Sequence, residues 1–103
     1  MFEWDERKSE SNLAKHGVTF ASAQQVFERP MLTNIDERQD YGEVRQVSIG
    51  VTRAGDFLVV VHTQRGDRQR LISARPASSE ERSRYERTVR SAIDFGRVGK
   101  PQG

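Results

Sequence analysis

The chain contains no cysteine, which excludes both a disulfide framework and a thiolate nucleophile. Its two histidines, His16 and His62, stand apart from each other in the sequence and cannot form a zinc site by themselves. Glycine is present at eight positions, but none falls in a phosphate-cradling loop or a dinucleotide fingerprint. No cofactor or metal is therefore expected. No apolar run approaches the roughly 18 residues that suggest a membrane span, and Met1-Phe2-Glu3-Trp4-Asp5 is not a signal peptide. The reading is a cytoplasmic protein without a membrane partner. Lysine is scarce as well: fourteen of the seventeen bases are arginine.

What is present points to anions. A chain of 103 residues has room for one modest core, so we expect a single domain over 1–96 with a flexible tail from Arg97 to Gly103. Apolar residues make up 34% and charged residues 31%, so each helix can bury only a narrow stripe. The net charge is just +2, yet it is unevenly spread: Met1–Glu43 holds nine acids against five bases, and Val44–Gly103 six acids against twelve bases. Two surfaces of opposite sign follow from this split. Arginine offers a planar fork of donors that fits phosphate oxygens and stays charged at physiological pH.

Local signals define the elements. Phe2–Trp4 reads as a short strand. Asp5 can cap a helix running to His16, stopped by Gly17, with a thin apolar stripe of Leu13 and Ala14. Thr19 can cap a second helix carrying Phe20, Ala23, Val26 and Phe27 at helical spacing, ended by Pro30. The polar stretch from Glu28 to Gly42 has room for one edge strand. Three strands follow, Val44–Thr52, Phe57–Thr63 and Arg68–Arg75, with Leu58-Val59-Val60-Val61 as the central run and Gly55 and Gly66 in the turns. Ser78 and Glu81 form the capping box of a last helix whose stripe is Tyr85, Val89, Ala92 and Ile93. The order β-α-α-β-β-β-β-α predicts an α+β fold, with helices packed on a mainly antiparallel sheet.

A set of motifs resembles one known family. Phe2-Glu3-Trp4-Asp5, Lys8, Asn12, Lys15-His16-Gly17-Val18-Thr19-Phe20, Val26-Phe27, Glu43-Val44-Arg45, Gly50, Val59-Val60-Val61-His62-Thr63 and Ile72-Ser73-Ala74-Arg75-Pro76-Ala77, with Glu81-Arg82 and Tyr85, are similar in kind and order to the BrnT type II toxins. The resemblance covers residues 2 to 85. It implies a RelE-like fold, a ribonuclease that inhibits translation, and neutralisation by a BrnA antitoxin with a ribbon-helix-helix part. DNA would then be met only through the antitoxin complex.

Metal-free RNA cleavage needs a base for the ribose 2′-hydroxyl, cations for the pentacoordinate phosphate and an acid for the leaving 5′-oxygen. Arg75 and Arg45 are the expected catalytic cations, and His62 and His16 the proton-transfer candidates. Lys8, Lys15, Arg70 and Arg82 are the expected RNA-backbone contacts, with Asn12 one turn from Lys8. Each has an ordinary alternative: a salt bridge to Glu81 for Arg75, Glu43 as partner of Arg45, a core position for His62, a helix-dipole position for His16, and solvated faces for the lysines and the arginines of the last helix. Tyr85 and Trp4 read as core. Strand parity sets Ser73 and Arg75 on one face with Leu71, and Arg70 on the other with Ile72 and Ala74, unless a bulge intervenes. A binding module that cuts nothing, or a corepressor acting through its antitoxin, would use the same arginine surface.

Overall fold

The computed structural model describes residues 1–38 and 40–98, and for 91–98 the helical backbone alone. The elements run β1 (Phe2–Glu3), α1 (Glu6–His16), α2 (Phe20–Ala23) continuing into a 3-10 turn at Gln24–Glu28, β2 (Leu32–Ile35), β3 (Gln46–Val51), β4 (Phe57–Arg65), β5 (Arg68–Pro76) and α3 (Ser79–Val98). One five-stranded sheet has the order β1-β5-β4-β3-β2. Its β1–β5 pair is parallel and the other pairs are antiparallel. The expected sequence of elements is present. The tail expected from Arg97 falls mostly on 99–103, which lie outside the described residues, and of the stripe positions Ala92 and Ile93 only the helical backbone is described.

The helix ends follow from local chemistry. The Asp5 carboxylate accepts from the Arg7 N–H at 2.8 Å, and Gly17 closes α1 at φ 72°, a conformation that suits glycine. Thr19 accepts from the Ser22 N–H. Ser78 and Glu81 exchange their reciprocal bonds at 2.8 and 3.2 Å, which fixes the first turn of α3 where β5 ends.

One face of the sheet carries α1, α2 and the 3-10 turn. Phe20, Ala23 and Val26 are fully buried there against Leu58, Val60, Leu71 and Ala74. The second helix is shorter than its apolar spacing predicts. It tightens into the 3-10 turn that lays Val26 on β3 at Gly50, where an added Cβ would stand 2.7 Å from the Cβ of Val26. Glycine is required by that close approach. The opposite face is covered only in part: Tyr85 and Val89 of α3 pack on Leu32, Ile49, Val59 and Phe57. Among the described residues, no other helix side chain packs on the rest of that face, called the open face below.

Two expectations are corrected here. Leu13 does not line the buried side of α1, being 48% exposed; Ser9 and Asn12 are its buried residues. Asn12 donates to the carbonyls of Val18 and Ala74 at 2.8 and 2.7 Å, and accepts from the Ala74 N–H at 3.1 Å. A side-chain amide thus completes the edge of β5 where the two-residue β1 does not reach. Asn12 is therefore a buried structural residue, while Lys8, one turn away, is exposed.

The second correction concerns parity. Val61 pairs with Ser73 but His62 pairs with Leu71, so Ile72 is an extra residue in a β-bulge. Leu71 and Ala74 consequently share the covered face, and Arg70 and Arg75 share the open one. The arginines that simple alternation separates are brought to the same side.

Candidate functional site

The open face holds a groove of about 500 Å³ with Val47, Ile49, Val59 and Val61 beneath it. Its polar wall is contributed by three separate segments. Arg75 and Ser73 come from β5, Glu81 and Arg84 from α3, and Asn34, Asp36 and Arg38 from β2 and the loop after it; His16, at the end of α1, completes the rim.

Arg75 is held by α3. Its two terminal nitrogens donate to the two Glu81 oxygens at 2.8 Å each, and one donates to the Pro76 carbonyl at 3.3 Å. The bidentate guanidinium, helped by the Ser78 N–H, pulls the Glu81 carboxyl down to about 2 and raises Arg75 itself. The salt-bridge alternative for Arg75 is thus realised. It does not exhaust the side chain, because a guanidinium has five N–H donors and Arg75 remains 45% exposed. The capping box therefore does two things: it starts α3 and aims Arg75 over the groove.

Asp36 anchors the opposite wall. Its side chain is 1% exposed and bound by Arg38 in a two-point pair at 2.8 Å, with the Tyr41 hydroxyl donating at 3.1 Å. Those donors, Arg38 first, hold the carboxyl well below the usual carboxylate range. Both carboxylates are therefore poor proton acceptors at neutral pH. Arg84 makes no ion pair among the described residues and leaves its charge available to the groove. His16 is exposed and is the one imidazole on the rim.

His62 is placed elsewhere. It is 2% exposed on the covered face, edge-on to Phe27 with ring centroids 4.8 Å apart. Its Nε2 meets the Ser48 hydroxyl at 2.7 Å and its Nδ1 the Gln69 side-chain oxygen at 2.8 Å, while Ser48 is bound in turn to Thr33. Burial pushes its pKa down from 6.5. Arg75 and His62 therefore lie on opposite faces of the sheet and do not converge on one phosphate.

The remaining candidates are distributed around the sheet. Arg45 lies with its guanidinium 3.9 Å from the centre of the Tyr41 ring and donates to Glu43. Arg70 donates to Glu3 at 2.9 Å. Arg82 is bound to Glu86 and stacked over Phe57. Lys8 and Lys15 are exposed on α1, the helix packed on the covered face. Tyr85 is core, its hydroxyl donating to the Pro30 carbonyl at 2.8 Å, and Trp4 packs half-buried against the main cluster.

Sequence reasoning missed Arg84, Asp36 and Arg38. For Arg84 a signal existed: it follows Glu81 by three residues, one helical turn, so a Glu81 facing the sheet brings Arg84 with it. Asp36 and Arg38 sit in a polar stretch with no periodicity, and only the fold reveals their pairing. A second hollow of about 300 Å³, lined by His16, Ser22, Asp56, Phe57 and Pro76 among others, adjoins the rim.

Comparisons with known proteins agree with this architecture. A family model described as the ribonuclease toxin, BrnT, of type II toxin–antitoxin systems matches residues 4–81. Among solved structures, the 1.1 Å crystal structure of the Brucella abortus ribonuclease toxin, BrnT, superposes with a TM-score of 0.57 at 26% identity. That match covers 77% of this chain and 99% of the other. No curated protein sequence matches the chain.

Proposed function

This chain belongs to the BrnT family of ribonuclease toxins of type II toxin–antitoxin systems, and from that premise we propose that it cleaves RNA at the groove beside Arg75. The observation that carries this reading is the Arg75–Glu81 pair: a guanidinium fixed at both ends of its fork, half-exposed, and aimed over an apolar floor. Such a group is set in place before the substrate arrives, so it stabilises developing charge without reorganising.

The reaction proposed is attack of the ribose 2′-oxygen on the adjacent phosphorus. A bond from phosphorus to that 2′-oxygen forms and the bond to the 5′-oxygen breaks, leaving a cyclic phosphate and a 5′-hydroxyl. Arg75 and Arg84 offset the charge on the pentacoordinate phosphate. His16 takes the proton from the 2′-hydroxyl and returns a proton to the departing 5′-oxygen, since an imidazole can act as base or acid near neutrality. Glu81 and Asp36, bound to arginine, are too acidic for that task, and Glu37 is the other carboxylate lining the groove. No step is assigned to a metal ion. His62 serves as a structural histidine of the covered face. The open groove would be occluded by an antitoxin, for which a BrnA-like ribbon-helix-helix protein is the proposed partner, and the fold would be RelE-like in type. Cytoplasmic action on translation follows from this reading.

The test is cleavage of RNA by the purified chain in EDTA. Arg75→Ala should lower the rate by about 10²–10³-fold, and His16→Ala should lower it and alter its pH profile. Rates matching the unmodified chain in both variants would remove the groove from the chemistry. No cleavage by the unmodified chain would leave a non-catalytic binding module.

A further inference from the structure

The open face continues past the groove into a second basic patch. Glu3 pairs with Arg70 and, at 3.7 Å, with Arg68; Glu43 pairs with Arg45 and Arg65 at 3.4 and 3.3 Å. Four guanidiniums thus share two carboxylates, and every one of these pairs is a single-nitrogen contact. Each arginine keeps unused donors, and the patch keeps a net positive charge.

Its placement follows from the register. Phe2 points into the covered core against Phe27, which turns Glu3 to the open face beside Arg70. Thr63 pairs with Arg70, and Arg65 with Arg68. Arg45 immediately precedes β3, its carbonyl accepting from the Asp36 N–H, and two-residue alternation with Val47 sets it on the open face. Stacking on Tyr41 fixes the plane of Arg45. Thr63, 2% exposed, lies beneath the patch and its hydroxyl donates to the Val44 carbonyl at 2.6 Å, tying the segment that leads into Arg45 to β4.

We infer that this patch is a second phosphate-binding site for single-stranded RNA, occupied by the nucleotides flanking those in the Arg75 groove. Along β5 the two sites are five residues apart, about 15 Å at strand rise, so one phosphate cannot reach both and a strand of several nucleotides can. Between them the groove floor runs over buried Val61 and half-buried Val47, while both ends offer guanidinium donors. The bulge at Ile72 makes this possible by turning Arg70 and Arg75 to the same side. Continuity with the groove favours RNA over an acidic protein segment. The inference rests on the proposed RNA-cleaving reading only for the identity of the ligand.

The test is binding of 2′-O-methyl RNA, which lacks the attacking hydroxyl, as a dinucleotide with a single bridging phosphate and as a long form of about 12 nucleotides. Arg65→Ala/Arg68→Ala removes two exposed charges far from the packed face, and its fold is checked by its melting temperature. The double variant should bind the long RNA about tenfold more weakly, with a salt slope smaller by about 1.4 for two lost contacts. The short RNA, reaching only the groove, should keep its affinity. Equal loss for both lengths, or no loss for either, overturns the patch, as does weakened antitoxin binding with unchanged RNA binding. Because the readout is binding, an inactive chain would sink the cleavage reading while leaving this one to stand or fall separately.

Discussion

The two faces of one sheet have been put to opposite uses. On the covered face, polar groups are few and each is satisfied: Asn12 completes the β5 edge, Ser9 accepts from the Phe20 N–H, and His62 sits between Ser48 and Gln69. On the open face, arginines are paired through part of their donor set and remain accessible. The same residue pairing that closes a core leaves spare donors when no helix is laid over it. What separates a structural polar group from a candidate functional one here is unused hydrogen-bonding capacity.

The sharpest break of that comparison is a truncation on the covered side. Phe20 is fully buried among Val26, Leu58, Val60 and Leu71, with Trp4 edge-on to its ring. Phe20→Ala should cost about 3–5 kcal/mol of unfolding free energy, a large share of what a domain of this size possesses. Denaturant titration measures it. Arg75→Ala, on the other face, should lower cleavage while shifting stability by less than about 1 kcal/mol, as exposed pairs do. Similar stability losses in the two variants would mean that the faces are not functionally separate.

How much of this was legible in the sequence depended on whether the cause was local. The caps at Asp5, Thr19 and Ser78/Glu81 are each set within four residues, and all are found where they were expected. The central run Leu58–Val61 could also be identified, because its apolarity is continuous. The bulge at Ile72 was not legible. Nothing at that position differs from an ordinary strand residue, and the bulge arises from the registers that β4 must satisfy across β5. That single residue decides which arginines share a face, and simple alternation along β5 does not reveal it. Asn12 was hidden for a similar reason: its partner Ala74 lies 62 positions away. The family-like motif order carried the reaction class, which the arginines alone do not specify.

A smaller effect probes the polar bonds of the covered face. Asn12→Ala would leave the carbonyls of Val18 and Ala74 and the Ala74 N–H without their partner, all in buried surroundings. The expected loss is about 1–3 kcal/mol. Hydrogen exchange should show the Ala74 amide losing protection ahead of the β3–β4 ladder. If stability and exchange both stayed unchanged, water would have to replace the amide at no cost, and the β5 edge would count as part of the open surface.

The smallest and most specific effect is pH dependence at His62. In the folded chain, Nδ1 donates to the Gln69 oxygen and Nε2 accepts from Ser48. Adding a proton to Nε2 would set donor against donor at Ser48, in a site 2% exposed. Burial lowers the folded pKa below 6.5, so between the two values the unfolded chain binds more protons. Stability is then full above about 6.5 and falls as the pH drops toward the folded value, by at most about 1.4 kcal/mol per pH unit. The groove carboxyls begin to contribute only further down, since Glu81 titrates in the folded chain near 2 against 4.5 when unfolded. The window from pH 7 to 5 therefore isolates the histidine. His62→Gln should flatten the pH dependence of stability across that window, whatever it does to the absolute value. An unchanged slope in the variant would show that His62 binds its proton as readily folded as unfolded, and that its side of the sheet is less closed than its hydrogen bonds indicate.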